Sequence, residues 1–168
     1  LFATRQSITD YLVRIDLFNR IKGISGHIVE CGVNRGNSFM LFSHLSSIHE
    51  PYAINRKIVG FDSFDGFRSI SAQHDPDDIS ENDFKVANTF DNLKQSIDLF
   101  DINRPISHMP RCDLVKGDAV DTIPEYVKNH PEMTNALLYL DFDLYKPTLV
   151  ALQCLLRLVC KGGIVVLD

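Results

Sequence analysis

The chain lacks most features that would declare a function at once. In its 168 residues no apolar run approaches the roughly 18 needed to span a bilayer, so no membrane association is expected. No secretory signal is expected from its first turn, which carries Arg5 and Asp10 in place of an apolar core. Leu1 is not an initiator methionine, so residues are expected upstream. The four cysteines, Cys31, Cys112, Cys154 and Cys160, form no C-x-x-C pair. That argues against a cysteine zinc site or a disulfide framework and favours buried free thiols in a reducing cytoplasm. A net charge of −5 leaves no electrostatic footprint for nucleic acid. No spacing supports a Ser-His-Asp or Cys-His arrangement, and the six histidines are scattered. With no repeat and no linker, residues 1–168 read as one domain.

What is present is an alternation of strands and helices. Ile8, Leu12, Ile15, Phe18 and Ile21 recur at helical spacing, which predicts an amphipathic helix over 7–22 with Gly23 as its stop. That helix can pack on its own sheet or on a second subunit of a homo-oligomer. Strands are expected over 27–31, in KIVGFDSF, DLVKGD and ALLYLDF, and in GIVVLD. Helices are expected over 37–47 and 89–100. Another should start at Thr122, where Thr122-Ile-Pro-Glu125 has capping-box spacing. A last helix from Pro147 would present Leu149, Leu152, Leu155, Leu156 and Val159 and end at Gly162-Gly163. This order implies a mainly parallel α/β sheet with right-handed crossovers. Residues 68–88 read as a long surface loop, a lid with a solvated acidic run. The final strand stops at Asp168 with nothing to cover it, so the chain is expected to continue with another helix and strand.

In open parallel sheets ligands bind beyond the carboxyl ends of the strands. Here every expected strand delivers an acid to that edge: Glu30, Asp62, Asp118, Asp141 with Asp143, and Asp168. The first strand runs through Glu30 into a turn with Gly32 and Gly36. Its G-x-x-x-G spacing is neither G-x-G-x-x-G nor followed by G-K-[ST], so a phosphate loop is disfavoured. A carboxylate repels a pyrophosphate but suits the ammonium and sulfonium of S-adenosylmethionine, so a methyltransferase is favoured over a nicotinamide dehydrogenase. The turn could equally be a tight connection without a ligand. Asp62 is placed to accept from both ribose hydroxyls, or it is a capping or loop acid. Asp118 could accept from an adenine amino group, or cap the next turn. Extended geometry would put Asp141 and Asp143 on one face, converging with Asp168. Such a set of hard oxygens suits Mg²⁺ or a similar cation rather than zinc. The alternative is a pair of acids capping the Pro147 helix and pairing with Lys146. Arg35 could bind a substrate anion or be solvated, and His74 could be a base in the lid.

VECGVNRGNS, VGFDSFDGF, VKGDAVDTIPE, LLYLDFDLYKPTLVAL and GGIVVLD together resemble the macrocin O-methyltransferase family over about residues 26–168. The resemblance implies a Rossmann-like class I methyltransferase sheet with helices on both faces, its last elements (an antiparallel pair) missing here. It implies an S-adenosylmethionine- and Mg²⁺-dependent enzyme that methylates sugar hydroxyls in natural-product biosynthesis. By that resemblance Glu30, Gly32 and Gly36 lie under the methionine part of the cofactor and Ser38 binds its carboxylate. Asp62 and Ser63 hold the ribose, and Asp118 with Ala119 neighbours the adenine. Asp141 is the first metal carboxylate and the catalytic residue, Asp143 supports it, and Asp168 is the first acid of a metal-binding pair.

The function expected is Mg²⁺-assisted O-methylation of a small-molecule sugar or other vicinal diol, in natural-product or polysaccharide biosynthesis. The alternatives are a catechol-type or hydroxylase-like relative and a catalytically inactive cofactor-binding protein.

Overall fold

Five strands of β-branched and other apolar residues form a single parallel sheet in the computed structural model, which describes residues 4–81 and 83–168. They are β1 (His27–Cys31), β2 (Ile58–Asp62), β3 (Cys112–Lys116), β4 (Asn135–Leu140) and β5 (Val159–Leu167), in the order β3-β2-β1-β4-β5. Register sets Glu30 of β1 beside Gly60 of β2 and Tyr139 of β4, with Val166 of β5 beyond. The order reverses at β1, so the crevice expected for a ligand lies beyond the carboxyl ends of β1 and β4, whose following helices pack on opposite faces of the sheet.

Alternation along the strands divides the core in two. Ile28, Ile58, Leu137 and Tyr139 pack beneath α1 (Arg5–Ile21), α2 (Asn37–His49) and α3 (Thr89–Ile102). Val29, Cys31, Phe61, Leu138 and Leu140 pack beneath α4 (Ala119–Asn129) and α5 (Tyr145–Leu155). The α/β architecture with helices on both faces is therefore as expected. Among the described residues no helix is long and apolar enough to cross a membrane. The four cysteines are free, but only Cys31 is buried; the other three are partly exposed.

Several boundaries differ from the sequence reading. The helix expected at Thr122 starts three residues earlier, because Asp118 caps it: its Oδ1 accepts the Val120 N–H at 3.0 Å. Thr122 is instead inside the helix, with its hydroxyl buried and unpartnered. The last helix ends at Leu155, and Gly162-Gly163 lies within β5, where the register with β4 shifts. A left-handed Gly162 absorbs the extra residues of that irregularity. Accordingly α5 buries Pro147, Ala151 and Leu155, while Leu149 and Leu156 are exposed. On α1 the expected apolar face is buried only at its C-terminal end: Phe18 and Ile21 are covered, but Ile8 and Leu12 are 49% and 60% exposed. The expected loop 68–88, of which Asn82 lies outside the described residues, contains no helix or strand up to the start of α3.

Candidate active site

The turn after β1 is shaped by two glycines. Gly32 has φ +95°, and a Cβ there would sit 1.9 Å from the Asp141 carbonyl oxygen, so the ends of β1 and β4 meet only because this residue has no side chain. Gly36, at φ +82°, begins α2 with no side-chain cap. Asp62 holds the segment between them. Its Oδ2 accepts the N–H groups of Val33 and Asn34, each at 2.8 Å, and its Oδ1 accepts that of Phe64 at 2.7 Å. Asp62 is thus the loop acid of one of its two readings, and it also lines the adjoining cavity.

Glu30 points into the α1–α2 side of the sheet and is 2% exposed. Its Oε2 is buried without a hydrogen-bond partner. Burial pushes this carboxyl well above its ordinary range; Asp141 and Asp62 add to the effect, while Arg14 and the Ser38 hydroxyl oppose it. Arg14, on α1, was not singled out from the sequence. Its guanidinium lies 5.3 Å from the centroid of the Tyr139 ring. The signal was present: Arg14 stands four residues before Phe18 and seven before Ile21, on the buried face of an amphipathic helix.

The acids of the later strands meet only in part. Asp141 is half-buried and its carboxyl is pushed up to about 6, first by burial, then by Asp168 and Asp143, with Arg14 opposing. Asp168 accepts the Tyr139 hydroxyl at 2.5 Å. Asp143 departs from the extended geometry expected of it. The strand ends at Leu140, and Asp143 has φ +57° and is exposed. Among the described residues no three His, Cys, Asp or Glu side chains form a metal-binding group. Neither Asp141 nor Asp143 caps α5 or pairs with Lys146 among the described residues; the cap comes from the loop, where Asp75 Oδ1 accepts the Tyr145 N–H at 2.7 Å.

Two cavities adjoin at Gly32, Asn34 and Asp141. One, of about 120 Å³, lies between Asp62, Ser63, Asp118, Ala119 and Phe142, with Phe67 and Phe84 of the loop as a wall. The other, of about 300 Å³, is bounded by Arg14, Glu30 and Ser38, with Arg35 at an exposed position on its rim. The loop is tied across the first: Ser69 Oγ donates to Asp118 Oδ2 at 2.6 Å, and the Phe67 and Phe84 rings pack 5.2 Å apart. Asp118 therefore caps α4 with one oxygen and holds the loop with the other. Ser63 donates to the Gly66 carbonyl and accepts the Asp65 N–H at 3.2 Å, which shapes the entry to the loop. His74 packs on the Tyr145 ring, 4.2 Å between centroids, outside both cavities.

The family described as macrocin-O-methyltransferase (TylF) matches residues 12–168. The chain belongs to the macrocin O-methyltransferase family. Among solved structures it is similar to CalS11, a calicheamicin methyltransferase, at 33% identity and TM-score 0.89, over 96% of this chain and 64% of that one. An apo structure of CalS11, described as a TDP-rhamnose 3′-O-methyltransferase of calicheamicin biosynthesis, matches at 31% identity and TM-score 0.80, over 96% and 62%. The O-methyltransferase NovP follows at 25% identity and TM-score 0.66, over 94% and 63%. The chain thus spans just under two-thirds of the length of each of these relatives. No curated protein matches it.

Proposed function

We propose that the protein is an S-adenosylmethionine-dependent, Mg²⁺-assisted O-methyltransferase acting on a hydroxyl of a small-molecule sugar or other vicinal diol. Asp141 carries the reading: it lines both cavities, at the glycine turn, and it feels the charges of Asp168 and Asp143. Family membership supports methyl transfer, and CalS11, described as an enzyme of calicheamicin biosynthesis, supports a natural-product pathway. Four unpaired cysteines suit a cytoplasmic setting.

The residues fit the two groups this reading requires. A buried, unpartnered carboxylate oxygen on Glu30 suits a cationic donor, and the side-chain-free approach at Gly32 leaves a flat floor. Asp141 and Asp168 offer hard oxygens, and their crowding is relieved by a divalent cation. The donor supplies a methyl group on a positive sulfonium, and the cation supplies Lewis-acid polarisation of the acceptor hydroxyl.

The chain's own residues do the rest. Asp62 fixes the Val33 and Asn34 N–H groups and, with Ser63, bounds the ribose end. Asp118 and Ala119 bound the adenine end. Glu30, Gly36 and Ser38 surround the methionine end. Asp141 and Asp168 would hold the cation, with Asp143 in support. Phe67, Phe84 and Phe142 exclude water.

Calorimetry with S-adenosylmethionine tests the donor. Binding that Asp62→Ala weakens is expected; no binding, or binding indifferent to that change, overturns the donor reading. Asp141→Ala should abolish Mg²⁺-stimulated transfer to a diol and spare donor binding; unchanged turnover overturns the metal reading.

A further inference from the structure

Glu30, which is buried, and Arg14, which is half-buried, are an acid and a base that face the same 300 Å³ cavity, each with one buried atom left unpaired. These atoms are Oε2 of Glu30 and Nε of Arg14. Each is close enough to influence the other electrostatically, yet no ion pair joins them among the described residues. The one hydrogen bond that the Arg14 guanidinium makes among the described residues is to the Asp10 carbonyl, at 3.2 Å on the exposed side. Buried donors and acceptors are ordinarily satisfied, so two orphans of opposite sign in one cavity call for a ligand that supplies both complements. A zwitterion does so. An ammonium donates to the carboxylate, and a carboxylate accepts from the guanidinium, whose planar fork suits it.

We propose that Arg14 and Glu30 form a clamp for an α-amino-acid zwitterion, with Arg14 of α1 taking the carboxylate and Glu30 the ammonium of the methyl donor's methionine end. This rests on the reading of the site as a methyl-donor site. It makes α1 a wall of that site and gives its one semi-buried arginine a ligand. Tyr139 holds the guanidinium from the sheet side through its ring face. Arg35 lines the same cavity but is exposed, so its charge is met by water.

The test compares binding of S-adenosylmethionine with that of its decarboxylated form, by calorimetry, in the parent protein and in Arg14→Met, Arg14→Lys and Arg35→Met. The parent should prefer the carboxylate-bearing ligand. Arg14→Met should lower its affinity by roughly tenfold to a hundredfold and leave the decarboxylated ligand unchanged, so the preference collapses. Arg14→Lys should restore part of that preference, and Arg35→Met should keep it whole. If Arg14→Met weakens both ligands alike or neither, or if the preference follows Arg35, the clamp is overturned while the methyl-donor reading stands. If the parent binds neither ligand, the methyl-donor reading fails and the clamp with it. Thermal melting of each variant separates misfolding from lost recognition, and Arg14→Lys carries the comparison should the methionine variant fail to fold.

Discussion

Asp75 Oδ1 accepts the backbone N–H of Tyr145 at 2.7 Å, and its Oδ2 accepts that of Ser71 at 2.6 Å. One acid of the loop therefore caps a helix that lacks a cap of its own, since Leu144 at that position has no side-chain acceptor. The helix it caps follows directly on Asp141-Phe142-Asp143, so the loop and the acidic strand end are fixed together. Asp75→Ala should cost about 1 kcal/mol, a fall of about 3 °C in Tm. Hydrogen exchange should show faster opening of residues 68–81 and of the first turn of α5. Unchanged exchange in both segments would mean that the loop is held by other contacts.

At Gly32 the close approach of Asp141 leaves no room even for a methyl group. The collision is with backbone, which cannot rotate away. Gly32→Ala should cost about 3 kcal/mol or more, combining the left-handed φ with a forced separation of β1 and β4. Gly23 offers the contrast: it has φ +83° but nothing within 4 Å, so Gly23→Ala should cost about 1 kcal/mol. Denaturant midpoints of the two variants measure the difference.

The strand ends were legible because an acid stands at or near the end of each apolar run, and chain order alone brings those ends to one edge. The glycine turn was legible for the same reason. What escaped were details decided by neighbours distant in sequence. Capping was one of the two readings of Asp118, but Thr122 also offered a helix start, and only the fold decides for Asp118. Gly162-Gly163 reads as a helix stop, but pairing with β4 draws it into a strand. Asp143 was expected to be extended by continuity with β4, yet the chain turns left-handed there to enter α5. Arg14 was passed over because a charge on a helix is usually solvated, whereas this one stands on the face that covers the sheet.

Burial holds the Glu30 carboxyl well above its ordinary value of 4.5, so the native state keeps this proton to higher pH than the unfolded chain does. The stability linked to this group is therefore greatest below that ordinary value and declines as pH rises through the raised one. Glu30→Gln removes the decline. The variant should match the parent near about pH 4 and grow more stable relative to it as pH rises to about 8. Urea midpoints across that range test this; a constant difference would mean that Glu30 titrates alike in the native and unfolded states, with no shift on folding. The same substitution should weaken binding of a cationic ligand, so stability and affinity should move in opposite directions.

At the acidic strand end, a proton and a divalent cation compete for Asp141, whose carboxyl is pushed up to about 6. Mg²⁺ affinity should be level above about pH 7 and fall by about tenfold per pH unit below about pH 5, a slope that Asp141→Asn removes along with most of the binding. Asp143 should behave differently. Its exposed side chain acts through its charge on Asp141, and Asn tolerates its left-handed backbone. Asp143→Asn should leave the fold intact, weaken Mg²⁺ by less than Asp141→Asn does, and shift the pH profile toward lower pH, because one of the acids raising the Asp141 pKa is gone. Titration of Mg²⁺ by calorimetry at several pH values separates the two. Equal losses in both variants would place Asp143 among the cation's ligands, and an unshifted profile would remove it from the site.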